Sequence, residues 1–230
     1  MHPTSEKILE QLKSQANPAN VEGMARYGIN PDNTLGVSMP VLRAIARQIK
    51  KNHPLALELW DSGIHEARIL AALIADPKQV DEELIERWVH DFDSWDVCDQ
   101  VCSNLFDKTP FAYHKAVEWA GRQPEYVKRA GFVLMAALAV HDKKAPDQAF
   151  EAFFPIILRE AVDERNFVKK AVNWALRGIG KRNRALNIQA IDFAQQIAQL
   201  DSRVARWIAS DALRELTSSK IQAKFGLFHT

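Results

Sequence analysis

The sequence predicts an all-α protein, built as a right-handed α-solenoid of helical repeats with a basic, concave groove. Three observations lead to this fold class. Apolar residues recur at intervals of three and four, as in Ile8, Leu9 and Leu12, a spacing that places them on one helix face. Long stretches that alternate apolar and polar residues, the pattern of half-buried strands, are absent from the sequence. Proline-containing turns divide the chain into about ten to twelve helical segments.

Each predicted segment begins or ends at a recognisable signal. Ser38 precedes Met39 and Pro40, which indicates an N-cap with proline in the first helical turn. We also predict a short capping helix over residues 220–225 at the end of the chain. Further boundaries are predicted at five proline turns, which are in chain order Asn52-His53-Pro54, Asp76-Pro77, Thr109-Pro110, Gln123-Pro124 and Ala145-Pro146.

The composition is that of a folded domain, which we expect to span residues 1–230. Hydrophobic residues make up 47% of the 230 residues and charged residues 26%, enough to bury a core and too apolar for a disordered chain. The sequence shows no secretory signal and no apolar run of the roughly 20 residues that span a bilayer. Its two cysteines, Cys98 and Cys102, exclude a disulfide scaffold and are expected to be buried thiols. This usage suits the reducing cytoplasm, where we place the protein.

Charge is distributed unevenly along the chain. Residues 1–114 contain 11 Lys and Arg against 17 Asp and Glu, whereas residues 115–230 contain 19 against 12. The net charge of +1 therefore conceals a basic second half, which could form one positive face or could be ordinary surface charge.

Five segments resemble one another and predict a repeat. Their reference positions, 68, 99, 129, 170 and 206, are spaced by roughly 30 to 40 residues, the period of two-helix solenoid units. Four of these positions are basic and are predicted to line one surface, namely Arg68, Arg129, Lys170 and Arg206. The fifth is Asp99, either an ionised carboxylate among these cations or one half of a structural ion pair.

The segment around Asp99 is the densest group of chemically useful side chains. Trp95 and Asp99 are four residues apart, so they lie one turn apart on the same helix face. Asp96 is explained by its place in the first turn of that helix, where an anion meets the positive end of the dipole. Trp174 follows Lys170 by four. It is expected to point into the concave groove toward Trp95 and Asp99, unless it is a core residue. We predict that the remaining tryptophans are repeat core, namely Trp60, Trp88, Trp119 and Trp207.

Several of these motifs resemble the AlkD-like DNA alkylation repair family. The resemblance extends over residues 20–215 and is carried by four stretches, which are Tyr27-Gly28-Ile29 followed by Leu35 to Ala46, Trp95 with Asp99, Arg129 to Phe132, and Lys169 to Arg177. The resemblance implies a stack of HEAT-like repeats that binds duplex DNA in its basic groove. It also implies a monofunctional glycosylase that removes N3- or N7-alkylated purines with neither metal nor cofactor. Such enzymes leave the lesion in or near the duplex, unlike glycosylases that extrude the base.

The same resemblance assigns roles to individual residues. Trp95 and Trp174 correspond to two tryptophans that embrace the deoxyribose, Asp99 to the catalytic carboxylate, and Arg129 to an arginine that supports the DNA backbone beside the lesion. We expect a monomer whose phosphate contacts come from basic residues of the repeats, namely Arg68, Lys169, Lys170, Arg177 and Arg206.

Two other functions remain open from the sequence. A non-catalytic module could use the same stack to bind damaged or branched nucleic acid through its basic face. A protein-interaction solenoid would show neither base release nor salt-dependent affinity for DNA. Fold alone does not decide among the three, because one architecture serves many functions.

Overall fold

Helices account for the secondary structure of residues 4–226, the part of the chain that this computed structural model describes. These residues form fifteen α-helices and two short 3₁₀ helices, without a β-strand among them. None of the helices within 4–226 has the length and apolar character needed to cross a membrane. The all-α prediction is confirmed, and the helices beyond the predicted ten to twelve are short ones, such as the five-residue helix Asp147–Glu151.

The chain divides into two compact units between Thr109 and Pro110. Whether residues 1–230 form one domain, as the sequence predicts, is not decided by this division and stays a prediction. The α-helices of the first unit are α1 (Ser5–Ser14), α2 (Pro18–Arg26), α3 (Met39–Ile49), α4 (His53–Asp61), α5 (His65–Ile74), α6 (Glu82–His90) and α7 (Trp95–Asn104), with 3₁₀ turns at Pro77–Gln79 and Phe106–Lys108. Those of the second unit are α8 (Ala112–Ala120), α9 (Glu125–His141), α10 (Asp147–Glu151), α11 (Phe154–Glu160), α12 (Asn166–Gly180), α13 (Arg184–Ala198), α14 (Arg203–Leu216) and α15 (Ser219–Lys224).

Polar side chains define where many helices begin. Asn17, Asn52 and Asn183 each accept a hydrogen bond from the backbone N–H three residues later, which satisfies a group that the first helical turn leaves unpaired. Ser38 is the N-cap of α3, as predicted, and Pro40 lies in the first turn. The Ser38 hydroxyl makes no capping hydrogen bond. The first residue of α3 is therefore defined by the extended backbone of Ser38 and by Pro40. The tail helix is confirmed as α15.

Aromatic stacking forms the core of the first unit. The indoles of Trp60 on α4 and Trp88 on α6 are stacked with centroids 4.0 Å apart and planes 2° apart. The indole N–H of Trp60 donates to Asp91 Oδ2 at 2.7 Å, so its polar group is satisfied although the ring is buried. The core predictions for Trp60, Trp88 and Trp119 are confirmed, because each is at most 1% exposed.

The core prediction for Trp207 is wrong. Its side chain is 42% exposed, and the ring lies 5.6 Å from the Lys169 ammonium. The reason is its position on α14, whose buried face is formed by Ala205, Ile208 and Ala212. Because successive helical residues are about 100° apart, position 207 falls on the side of α14 opposite this face.

The second unit is organised around α9, which is buried from Val127 to Ala139. This helix packs against α8 and α12, and Gly131 lies at the closest approach to α8. A Cβ placed on Gly131 would come within 2.5 Å of the backbone nitrogen of Ala120. Glycine therefore permits a helix–helix distance that any side chain would prevent.

A buried carboxylate anchors the segment between α2 and α3 in the first unit. Glu66 on α5 is 1% exposed and accepts hydrogen bonds from the backbone N–H groups of Leu35, Gly36 and Val37 at 2.9, 2.6 and 3.1 Å. Gly36 has φ +78°, and a Cβ there would lie 2.3 Å from the Asn17 carbonyl oxygen. The sequence analysis assigned no role to Glu66, whose partners lie about 30 residues away in the sequence.

Candidate nucleic-acid interface

Helix α7 has two distinct faces, and the predicted catalytic pair lies on the accessible one. Val97, Cys98, Val101 and Cys102 are fully buried, and both cysteines are free thiols, as predicted. Trp95 and Asp99 are only half-buried, and so are their neighbours Asp96 and Gln100. The indole and the carboxylate are therefore available at the surface of the first unit rather than enclosed in its core.

Two long-range hydrogen bonds hold the start of α7 against the segment after α2. The indole N–H of Trp95 donates to the backbone oxygen of Tyr27 at 3.1 Å. The hydroxyl of Ser94 accepts from the backbone N–H of Asn30 at 2.9 Å and makes no capping bond to α7. These contacts fix the orientation of the Trp95 ring, because its only donor is engaged by the main chain.

Asp96 has a partner that the sequence analysis did not anticipate. Its Oδ2 lies 2.9 Å from Nε2 of His65 on α5, and the His65 side chain is only 3% exposed. Burial by itself would lower the pKa of His65, but the hydrogen bond and charge of Asp96 raise it above its ordinary value. The other oxygen, Oδ1, is buried and has no hydrogen-bond partner among residues 4–226.

Arg68 is bound into the first unit, although it was predicted to contact DNA. Its Nη1 donates to the backbone oxygen of Asp91 at 2.9 Å, and the guanidinium lies 5.4 Å from the Trp60 ring. The side chain is 16% exposed and lies 4.0 Å from Asp93 Oδ2. These contacts give Arg68 a structural role, and its part in binding phosphate stays a prediction.

In the second unit, Arg129 is buried and positions α12. It is 5% exposed, and its Nη1 donates to the backbone oxygen of Phe167 at 2.5 Å. Phe167 lies in the first turn of α12, the helix that carries Trp174. Trp174 is half-buried, so its ring reaches the surface of the second unit as the prediction requires.

The other predicted DNA contacts differ in how available they are. Lys170 and Arg206 are exposed and Lys169 is half-buried. Arg177 is paired within the unit, because its Nη1 lies 2.8 Å from Glu215 and 3.2 Å from Asp211, both on α14. Burial alone would raise the pKa of Glu215, but hydrogen bonds and charge from Lys181 and Arg177 hold it below its ordinary value.

The predicted site residues therefore fall into two groups, each described within its own unit. Arg68, Trp95 and Asp99 belong to the first unit, with Trp95 and Asp99 on one helix. The second unit holds the remaining six, which are Arg129, Lys169, Lys170, Trp174, Arg177 and Arg206. The grouping of both tryptophans around one deoxyribose stays a prediction.

The first unit also contains a basic concavity of about 560 Å³, which was not predicted from the sequence. It is lined by Arg43, Arg47, Lys50 and Lys51, with Ala46, Leu73 and Asn104. Within 4–226, no ion pair involves the exposed side chains of Arg43, Arg47 and Lys50, although other surface cations are paired. The spacing of 43 and 47 could have indicated this cluster, because it places two cations one turn apart on the same face of α3, and Lys50 follows directly after that helix ends.

Lys51 is held differently from its three neighbours. Its Nζ donates to the backbone oxygens of Leu73 at 3.3 Å and Ala75 at 2.6 Å, at the C-terminal end of α5. Burial, assisted by the charge of Lys108, lowers the pKa of Lys51. Lys51 thus joins α5 to the concavity, whereas the other three cations face solvent.

Comparison with known proteins identifies the family. A family model described as DNA alkylation repair enzyme matches residues 8–216. The chain belongs to the DNA alkylation repair enzyme family. This establishes the family that the sequence motifs suggested.

Two known proteins are similar to this chain over most of its length. An uncharacterized protein of Listeria innocua serovar 6a is 24% identical over 202 residues, covering 86% of this chain and 88% of the relative. A solved structure with a TM-score of 0.77 is 19% identical and covers 93% of this chain and 95% of its own. It is described as a new family of proteins related to the HEAT-like repeat DNA glycosylases, with affinity for branched DNA structures. The likeness confirms a HEAT-like repeat fold.

Proposed function

We propose that the protein is a DNA glycosylase that hydrolyses the N-glycosidic bond of N3- and N7-alkylated purines in duplex DNA, without full extrusion of the base. The observation that carries this proposal is the accessible face of α7, where Asp99 follows Trp95 by one turn. Membership of the DNA alkylation repair enzyme family supports the same reaction class.

The chemistry needs little more than a positioned carboxylate and water. An alkylated purine is cationic, so it leaves as a neutral base when it takes the electron pair of the glycosidic bond. Positive charge then develops on the deoxyribose, where the Asp99 carboxylate stabilises it. A single oriented group of this kind lowers a barrier by about 3–4 kcal/mol in comparable sites. Water adds to C1′, and its proton passes to Asp99 or to solvent.

Aromatic and basic residues have supporting roles in this proposal. The faces of Trp95 and Trp174 attract the polarised C–H groups of the sugar, a relative of the cation–π interaction. Arg129 acts as a positioning residue for Trp174, because it holds the first turn of α12. Lys169, Lys170 and Arg206 contact phosphates, so binding is tolerant of sequence and weakens with salt.

Release of bases from methylated duplex DNA tests the reaction. We expect the wild-type protein to free 3-methyladenine or 7-methylguanine and to leave abasic sites. Asp99→Asn retains DNA affinity and loses at least 100-fold in release rate, on the order of one oriented catalytic group. Asp93→Asn, a neighbouring exposed carboxylate, is the matched control and keeps the wild-type rate. Normal release by Asp99→Asn contradicts the assignment.

A second candidate is a non-catalytic module that binds branched DNA. Two observations favour it, namely the unpaired cations of the basic concavity and the affinity for branched DNA in the description of the structural relative. Competition between a four-way junction and a linear duplex distinguishes the candidates. A preference for the junction, without base release from any methylated substrate, would replace the glycosylase proposal with this one.

A further inference from the structure

Trp207 is an exposed indole of the second unit, and the packing of the core does not require it. Its side chain is 42% exposed and lies on the side of α14 opposite the buried face of that helix. The other large apolar side chains exposed between residues 110 and 226 are aliphatic, and single aliphatic residues on a surface are ordinary. The exposed aromatic ring therefore calls for an explanation from its surroundings.

Cations from two helices border the Trp207 ring. The Lys169 ammonium on α12 lies 5.6 Å from the ring centroid, within the range of a cation–π interaction. Arg203 precedes Trp207 by four residues on α14, which places the two side chains one turn apart on the same face. Within residues 4–226, no ion pair involves Lys169 or the exposed Arg203. Both positive charges are therefore available to an anionic ligand.

The surface around the indole extends this positive charge. Lys170 and Arg206 are exposed beside it. Asp201 lies 3.7 Å from Arg206 with both side chains in solvent, where an ion pair contributes little. Asp211, one turn beyond the indole on α14, is already paired with Arg177 at 3.2 Å. The patch therefore combines one aromatic ring with a local excess of cations.

This combination is the one that binds unpaired nucleotides. Cations follow the phosphates of a strand, and an aromatic ring stacks on a base, which is tolerant of sequence because every base has a π face. Inside a duplex, neighbouring base pairs cover both faces of each base, so an indole can stack only on a base that is unpaired. A phosphate bound by Lys169, close to the ring, brings the base of the same nucleotide within reach of Trp207.

We propose that Trp207 stacks on an unpaired base of DNA that has a single-stranded segment next to a duplex, with Lys169 and Arg203 binding the adjacent phosphates. The inference goes beyond the proposed function. It shares with that function the phosphate contacts of Lys169, Lys170 and Arg206, and it does not depend on the release of a base.

A purely structural role of the ring would be to hold Lys169 in place through the cation–π contact. Loss of that role would weaken every DNA ligand whose phosphates Lys169 binds, whether or not the ligand has unpaired bases. Stacking by Trp207 instead affects only ligands that offer a base. Two ligands with the same phosphates and different bases therefore separate the two roles.

A duplex with a single-stranded overhang provides this test. Wild-type protein is titrated, by fluorescence anisotropy at fixed salt, with a duplex that has an overhang of thymidines and with the same duplex that has an overhang of abasic nucleotides. We expect the thymidine overhang to bind about fivefold to tenfold more tightly, the range of one base–aromatic stack. Trp207→Phe keeps most of this preference, whereas Trp207→Leu, which retains an apolar side chain without a π face, removes it. Ile188→Ala, at an exposed apolar position on α13, is the control and keeps the wild-type preference.

Equal affinity of the wild-type protein for the two overhangs overturns the inference, and this comparison needs no variant. A preference that survives in Trp207→Leu, or a loss in this variant that is equal for both overhangs, overturns it as well. The proposed function fails separately. A protein that releases bases from methylated duplex DNA and binds both overhangs equally loses only this inference. One that prefers the thymidine overhang but releases no base loses only the glycosylase proposal.

Discussion

The two units hold their helices and connecting segments in place by different interactions. In the second unit, α9 approaches α8 so closely that Gly131 has no room for a Cβ. In the first unit, by contrast, Gly23 on α2 faces open space. Close packing fixes α9 and α12. The segment between α2 and α3 is fixed by hydrogen bonds that Glu66 and Ser94 accept from its backbone and by one that Trp95 donates to it.

This difference shows where each unit tolerates change. Apolar contacts are dense and short-ranged, so a tightly packed helix pair resists added volume. Directional hydrogen bonds hold a segment at a distance from the surrounding helices, which leaves a cavity between them. The contact between α8 and α9 therefore tolerates little added volume, whereas α2 borders a cavity.

The largest expected effect comes from adding one methyl group at Gly131 of α9 and at Gly23 of α2. Gly131→Ala forces α8 and α9 apart, because the new Cβ meets backbone atoms of Ala116 and Ala120, and we expect a loss of about 3 kcal/mol. Gly23→Ala instead stabilises by about 0.5–1 kcal/mol through helix propensity. Urea unfolding of both variants measures the contrast, and equal effects at the two positions would refute it.

Glu66→Gln tests how much the hydrogen bonds accepted by Glu66 stabilise the first unit. The amide keeps one acceptor oxygen but turns its NH₂ group toward backbone donors that the carboxylate now satisfies. We expect a loss of about 2–3 kcal/mol, seen as a lower melting temperature in calorimetry. Glu58→Gln, an exposed carboxylate on α4, is the control. A melting temperature that Glu66→Gln leaves unchanged would show that this anchor is dispensable.

Removing charge from the basic concavity tests the first unit as a DNA-binding surface. Replacing Arg43, Arg47 and Lys50 together by glutamine should weaken duplex binding roughly tenfold and reduce the slope of log affinity against log salt by about 0.9 per lost phosphate contact. Fluorescence anisotropy at several salt concentrations measures both values. Replacing Lys13, Lys78 and Arg87, exposed cations outside the concavity, removes the same charge and should leave the slope unchanged. An identical slope in both triple variants excludes the concavity from the interface.

The smallest expected effect is the pH dependence of the His65–Asp96 pair. Because Asp96 raises the pKa of His65, with help from Glu66 and Asp93, protonated His65 stabilises the folded state. This contribution is complete below the ordinary value of 6.5 and is lost as the pH rises through the folded pKa. We expect the wild-type melting temperature to fall by at most a few degrees between about pH 6 and 8.5. In His65→Gln this part of the pH dependence disappears, and its persistence there would contradict the pairing.

Local sequence signals predicted the helices and several of their partners. The spacing of apolar residues and the placement of prolines predicted the helical class. The burial of Trp60, Trp88 and Trp119 and of the thiols of Cys98 and Cys102 was also predicted and is confirmed. These features depend on residues within one or two turns, which the sequence shows directly. Trp207 was predicted to be core, although the helical period places it opposite the apolar face of α14.

Contacts between distant segments were not predictable in the same way. Arg68 and Arg129 look alike in the sequence and were expected to face DNA, yet each donates to a main-chain oxygen more than 20 residues away. The partners of Asp96 and Glu66 lie about 30 residues away. Such pairings depend on how helices pack, which periodicity alone does not specify.

The stacked indoles of Trp60 and Trp88 give the first unit an optical reporter of its own. Rings 4.0 Å apart and nearly parallel couple their electronic transitions, which produces a circular dichroism band that an isolated tryptophan lacks. The signal depends on both α4 and α6 remaining in place. Loss of the band before the far-ultraviolet helix signal would therefore reveal the first unit melting ahead of the second.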